Sequence, residues 1–214
     1  THCISSAASD VYKRQGVDTM LQLGQVLLAL YITFYLYAFI IYGGMVKFFG
    51  KYNPIQFFKD IAPAGLNAFG TCSSSATIPI SLKCASEKIG IPEEITSLTL
   101  PLGATINMDA VSILMSFMIT FFATALGIDL SIGTMVTVLA CNVLLSIGTP
   151  GVPGGAIAAF AALCPIAGIP TNQILGVYIS VNTLCDMGAT CVNVIGDLAC
   201  STVLKQTLHF DKKK

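Results

Sequence analysis

The sequence predicts an all-α membrane protein, built of spanning helices plus two re-entrant helical hairpins arranged as an inverted repeat. Three observations carry that reading. The chain is 54% hydrophobic and only 10% charged, with a mean hydropathy of +0.78, whereas soluble domains average about 25% charged residues. From Ile95 to Leu204 there is no Lys, Arg, Glu or His, and the formal charges are four aspartates, Asp109, Asp129, Asp186 and Asp197. The lysines beyond the N-terminal tail are Lys47, Lys51, Lys59, Lys83, Lys88, Lys205 and Lys212 to Lys214, and all fall at helix ends that a single topology places on one face. The positive-inside tendency makes that face cytoplasmic.

Each element follows in turn. Residues 1–15 are polar and lack the charged start and apolar core of a signal peptide, so they are set aside as a non-native or disordered tail. The core is expected over 16–208. Its first element, 20–49, contains an uncharged run from Val26 to Val46 that is long enough to span hydrocarbon and is closed by Lys47 and Lys51. Asn53-Pro54 opens the first hairpin, 54–89. Lys59 marks one of its ends and Lys83 and Lys88 the other, with the small polar run Thr71 to Thr77 between them. A segment that leaves a basic side and returns to it reads as a hairpin, not a span. The broken helix 94–127 is apolar but interrupted by Pro101, Gly103 and Asn107-Met108-Asp109, and Asp129 lies beyond it. In the second hairpin, 132–168, the stretch Ser146 to Gly155 is too rich in Gly and Pro to stay helical. No lysine flanks it, so it is expected to enter from the opposite face. The polar helix 172–208 ends near Lys205, and 209–214 is a basic tail. The cysteines show no CxxC spacing and read as small packing residues.

On the last helix Asp186, Thr190, Asn193 and Asp197 stand at i, i+4, i+7 and i+11 and share one face, with Asn182 a turn further. A carboxylate at the centre of a spanning helix costs about 2.5–3.5 kcal/mol, and no base at membrane depth is present to offset it. A proton or a bound cation can. Interhelical hydrogen bonding is the plainer role for such a stripe, but two aspartates exceed what it requires. Half-helices ending inside a membrane aim free N–H groups at anions, and unwound carbonyls hold small cations. Together these features imply a cation-coupled carrier of a zwitterion. They disfavour an intramembrane serine hydrolase, which lacks an activating His or Lys, and leave a channel or a non-transporting structural membrane domain as rivals. No enzyme activity and no nucleic-acid partner are expected.

Four stretches carry a resemblance: Thr71 to Thr77, Pro101 to Asp109, Ser146 to Gly154, and Asp186 to Asp197. In this order they resemble the signatures of the sodium:dicarboxylate symporter family of glutamate, aspartate and neutral amino acid transporters, over about Met20 to Thr207. The resemblance implies that Asp186 meets the substrate amino group. Its α-carboxylate would meet Asn193 and the serine tip, Ser73 and Ser74, with Thr190 beside it and Val152 closing over it. One sodium site would use Asp197 with carbonyls of Gly103, Asn107 and Asn193. A second would use carbonyls of Thr105, Ser146, Ile147 and Thr149. A third would use Asp109 and the Asn107 side chain, with its other ligands on an earlier helix expected to be missing.

Three positions depart from the acidic-substrate pattern. Ala189 or Cys72 stands where such carriers place an arginine, and Val111 where they often place a threonine. Ala110 and Ala156 replace glycines. A buried substrate carboxylate without a partner is costly, so a neutral amino acid is expected; proton coupling and a dicarboxylate or acidic substrate are the alternatives. The resemblance further implies Na⁺ as the coupled ion, with H⁺ as alternative. It also implies a multi-pass location in the cell membrane among lipids, a cytoplasmic C-terminus, additional preceding helices and a homotrimer when full-length.

Overall fold

The structure, a computed structural model, describes residues 21–208. The expected tails, 1–15 and 209–214, and the start of the core at 16–20 lie outside the described residues. Among those described there is no strand.

Helix α1 (Leu21–Phe48) is predominantly apolar and contains one π-helical turn at Ala38–Tyr42. α2 (Pro54–Thr71) begins where sequence logic puts a start: the Asn53 side chain accepts from the N–H groups of Ile55 and Gln56, and Pro54 occupies the first turn. It stops at Cys72, whose φ of 51° is left-handed. Ser73 is extended and its hydroxyl caps α3 (Ser74–Lys83), which runs on through a π-helical turn, Cys84–Ile89, to Gly90. There Lys205 donates to the Ile89 carbonyl at 2.7 Å, tying the base of this hairpin to the last helix. Near the other end of α2, Tyr52 donates to Asp60 at 2.7 Å and Gln56 to the second oxygen at 2.8 Å. Burial and that carboxylate push the Tyr52 hydroxyl up to about 12, so it stays a donor.

α4 (Glu93–Ile106) carries Glu93 and Glu94 in its first turn, where the helix dipole favours them. Pro101 and Gly103, expected to interrupt the helix, lie inside α4; the break comes at Asn107 and Met108, before α5 (Asp109–Ala125) resumes. α6 (Ile132–Ile147) is capped by Ser131, and α7 (Gly155–Ile166) follows the irregular segment at 148–154. At 1.5 Å per residue the 16 residues of α6 and 12 of α7 reach about 24 and 18 Å, less than the ~30 Å of hydrocarbon. α8 (Thr171–Thr207) is one unbroken helix of 37 residues.

Among the described residues, three stretches are long and apolar enough to cross a membrane: Leu21–Phe48, Glu93–Ala125 and Thr171–Thr207. The protein is an all-α membrane protein. α8 is its axis, packed by α1, α2, α3, α4, α5 and α7, so that from Gly188 to Ala199 every residue is buried. The polar face of that axis is therefore forced into the protein interior, away from lipid. Tyr178 stacks on Phe160 at 3.9 Å between ring centres and closes the α7 side of this core.

Candidate functional site

The two interrupted hairpins meet tip to tip. Ser73 Oγ accepts the Ala76 N–H at 3.1 Å, which starts α3, and donates to the Gly151 carbonyl at 2.9 Å. The Ser75 N–H also reaches that carbonyl, at 3.2 Å. Gly151 has no room for a side chain: a Cβ there would run into the Ala104 carbonyl and come within 3.2 Å of Ser74 Cβ and 3.3 Å of Met108 Cε. Gly151→Val is expected to lower the thermal midpoint, because overpacking a well-packed site costs about 1–3 kcal/mol. Differential scanning fluorimetry of the detergent-purified protein checks it.

Behind the tips stands the polar face of α8. Asp186 accepts the Gly154 N–H at 2.9 Å and the Thr190 hydroxyl at 3.4 Å. Gly154 sits at φ 76°, a conformation glycine adopts without strain, and this turn aims its N–H at the carboxylate. One turn on, the Asn193 side-chain oxygen accepts the Ala110 N–H at 3.0 Å and its amide donates to Met108 Sδ at 3.2 Å. At the far end the Asn107 amide bridges the Asp197 carboxylate, at 2.9 Å, and the Asn193 carbonyl, at 3.3 Å. A Cβ on Gly103 would collide with that same carboxylate, so the glycine is what lets Asp197 lie against α4. Asp109 accepts from Tyr37 at 2.6 Å, from Tyr42, and from the Ala110 N–H at 2.9 Å.

Between the tips and α8 lies a cavity of about 10 Å³, room for roughly one water. Its walls include Cys72, Ser74, Met108, Val111, Thr149, Gly151, Val152, Ala156, Asp186, Thr190 and Asn193. None of the lining residues is basic. The cavity wall brings together a carboxyl group, amide and hydroxyl groups and the start of a helix.

The model of the sodium:dicarboxylate symporter family matches residues 3–207. The chain belongs to the sodium:dicarboxylate symporter family. That match reaches into the segment set aside as a tail, residues 1–15. Among similar proteins, the human neutral amino acid transporter A is 34% identical over 179 residues, which is 81% of this chain and 33% of that protein. Human excitatory amino acid transporter 2 is 34% identical over 175 residues, covering 79% of this chain and 30% of that protein. Mouse excitatory amino acid transporter 3 is 39% identical over 145 residues, covering 68% and 28% respectively. The chain thus spans about a third of the length of these relatives. The family is one of transporters, not enzymes.

Against the family-based expectations, Ser74, Val111, Val152, Asp186, Thr190 and Asn193 come together around the cavity. Ser73 and Ala189 do not line it. The Ser73 hydroxyl is engaged in the tip-to-tip bond, and Ala189 is fully buried. The Asn193 side chain lines the cavity while bonded to the Ala110 N–H and to Met108 Sδ at the α4–α5 break. Gly103, Asn107, Asn193 and Asp197 converge. In the set of Thr105, Ser146, Ile147 and Thr149, Ser146 and Thr149 are buried whereas Thr105 and Ile147 are exposed. The Ser146 carbonyl accepts the Thr149 N–H at 3.1 Å.

The sequence reading did not single out Tyr37 and Tyr42, which donate to Asp109. Their spacing of five places them on different faces of an ordinary helix; the π-helical turn at Ala38–Tyr42 rotates them together. An apolar run carries no sign of such a turn. Met108, packed between Asn193 and Gly151, was read as part of the helix break but not as a wall of the cavity, since an apolar side chain carries no sign of what it packs against.

Proposed function

We propose that this chain is the binding core of a secondary active transporter that couples sodium entry to uptake of a neutral amino acid by alternating access. The observation that carries the reading is the small cavity whose walls pair Asp186 with Thr190, Asn193 and two hairpin tips and contain no basic side chain. Asp186 takes the substrate ammonium. The N-terminal turn of α3 at Ser74 and Ser75 takes the α-carboxylate, with the helix dipole behind it.

The closed geometry gives a mechanism. Asp186 is held by the Gly154 N–H and the Ser75 N–H by the Gly151 carbonyl, so both future partners of the zwitterion are occupied by the second tip. Withdrawal of that one segment, with Val152 on it, frees an acceptor for the ammonium and a donor for the carboxylate together. Substrate replaces the tip's own backbone groups, and the tip recloses over it. Sodium is cargo in this scheme. The Asn107 amide now donates to Asp197 and to the Asn193 carbonyl; a cation in that place would satisfy the same two oxygens, with the carbonyls of Gly103 and Asn107 as further ligands. Asp109 with Asn107 forms a further candidate, whose carboxylate Tyr37 and Tyr42 support.

In the membrane, α2–α3 and α6–α7 serve as re-entrant hairpins from opposite faces, and the lysine-bearing ends and the C-terminus lie in the cytoplasm. The whole protein is a homotrimer in the cell membrane. Proton coupling is the competitor, because a protonated Asp197 also offsets its burial.

Uptake by the whole protein is expected to require sodium and to be inhibited by alanine, serine or threonine and not by aspartate. Uptake that follows pH and ignores sodium would replace sodium with a proton; inhibition by aspartate alone would overturn the neutral assignment. Cys72 lines the cavity, so Cys72→Arg supplies a cation there. It is expected to weaken neutral substrates and admit aspartate, a change of at least tenfold in the ratio of their apparent affinities.

A further inference from the structure

A second recess lies away from the cavity, at the lysine-bearing end of α1. It has a volume of about 760 Å³ and is lined by residues of α1, the α1–α2 loop and the start of α2, among them Phe39, Ile40, Gly44, Lys47, Lys51 and Ile55. The floor is open because side chains are missing: a Cβ on Gly44 would meet nothing within 4 Å, and one on Gly43 would first touch the Phe58 ring at 3.5 Å. One wall is rigid, with Phe39 stacked parallel on Phe58 at 5.2 Å. Phe39 and Ile40 are 61% and 65% exposed, an apolar surface suited to hydrocarbon.

The charge is one-sided. Lys47 and Lys51 both line the recess and no carboxylate does; the Lys47 ammonium lies over the Phe48 ring at 5.7 Å. The first N–H groups of α2 are taken by the Asn53 side chain, so the lysines alone supply the positive charge. Lys51 sits at φ 49°, where glycine or asparagine would rest more easily. The recess thus joins an apolar trough along the helix to two ammonium groups at its mouth that meet no carboxylate among the described residues, at the depth where hydrocarbon gives way to headgroups.

We infer that this recess binds one anionic phospholipid, with an acyl chain along Phe39, Ile40 and Gly44 and the headgroup phosphate between Lys47 and Lys51. The site is independent of the substrate cavity and stands whether the carried solute is neutral or acidic. The lysines read the negative headgroup, and the trough requires that it come attached to a chain.

The test is native mass spectrometry of the whole protein, released from neutral detergent and titrated with dioleoyl-phosphatidylglycerol or dioleoyl-phosphatidylcholine. One phosphatidylglycerol is expected to be retained in preference to phosphatidylcholine. Lys47→Gln with Lys51→Gln is expected to weaken it at least tenfold, while Lys47→Arg with Lys51→Arg retains it. Gly44→Leu fills the trough and leaves both charges in place; it is expected to weaken retention by a similar factor, with the thermal midpoint in detergent confirming that each variant folds. Equal retention of the two lipids overturns the proposal. So does retention unchanged by the glutamine pair or by Gly44→Leu, as when another helix of the whole protein covers the recess. Glycerophosphate competing as well as the lipid would reduce the site to a phosphate site and also overturns it.

Discussion

Asp186→Asn in the whole protein is expected to abolish amino acid uptake, by at least a hundredfold, while leaving the protein folded. The carboxylate is buried and has two hydrogen-bond donors, Gly154 and Thr190. An amide of the same shape keeps one oxygen to accept the Gly154 N–H and turns its NH2 toward the Thr190 hydroxyl, which then accepts instead of donating, so the hairpin tip stays in place and stability changes little. What disappears is the negative charge that meets a desolvated ammonium. Removing one partner of a buried pair costs about 3–5 kcal/mol, and each ~1.4 kcal/mol is tenfold. Radiolabelled uptake beside a thermal-unfolding trace separates the two effects. Loss of folding together with uptake would assign Asp186 to packing; retained uptake would remove it from the substrate's path.

Asp197→Asn is expected to have the second-largest effect, and a different signature. Asp197 lies away from the cavity, against Gly103 and the Asn107 amide. The variant is expected to lose most of the sodium dependence: half-saturating sodium rises at least tenfold, and substrate affinity at saturating sodium changes less. Sodium titrations at fixed substrate measure the first quantity and substrate titrations at saturating sodium the second. An unchanged sodium requirement would place the coupled ion elsewhere, with Asp109 the next candidate.

The fold class and the family were legible because the signals were large. A run of apolar sequence whose charges were all acidic had no soluble interpretation, and the spacing of Asp186, Thr190, Asn193 and Asp197 put them on one face before any packing was known. α8 buries that face against five neighbouring helices and α1, as a polar stripe in a membrane requires. The interruptions at Cys72, Asn107 and 148–154 were marked by serine, proline, glycine and asparagine, which break helices for stated steric reasons.

What the sequence did not reveal is pairing. That Gly151 presses on Ala104, Ser74 and Met108 depends on two hairpins far apart in the chain meeting at a glycine, and any of several glycines could have been the one. The occupation of Asp186 by Gly154 is likewise a backbone contact, and backbone donors are the same at every position of a sequence. Tyr37 and Tyr42 reach Asp109 only because of a π-helical turn that no residue type announces. Ser73 and Ala189 were chosen through the family pattern, and their placement outside the cavity wall follows from what is packed around them.

The most direct measurement is isothermal titration of the whole protein with serine, first in sodium chloride and then in choline chloride at the same ionic strength. Saturable binding in sodium that vanishes in choline, with no heat from aspartate in either, is the predicted result. Equal binding of serine in both salts, or binding of aspartate in preference to serine, would contradict it.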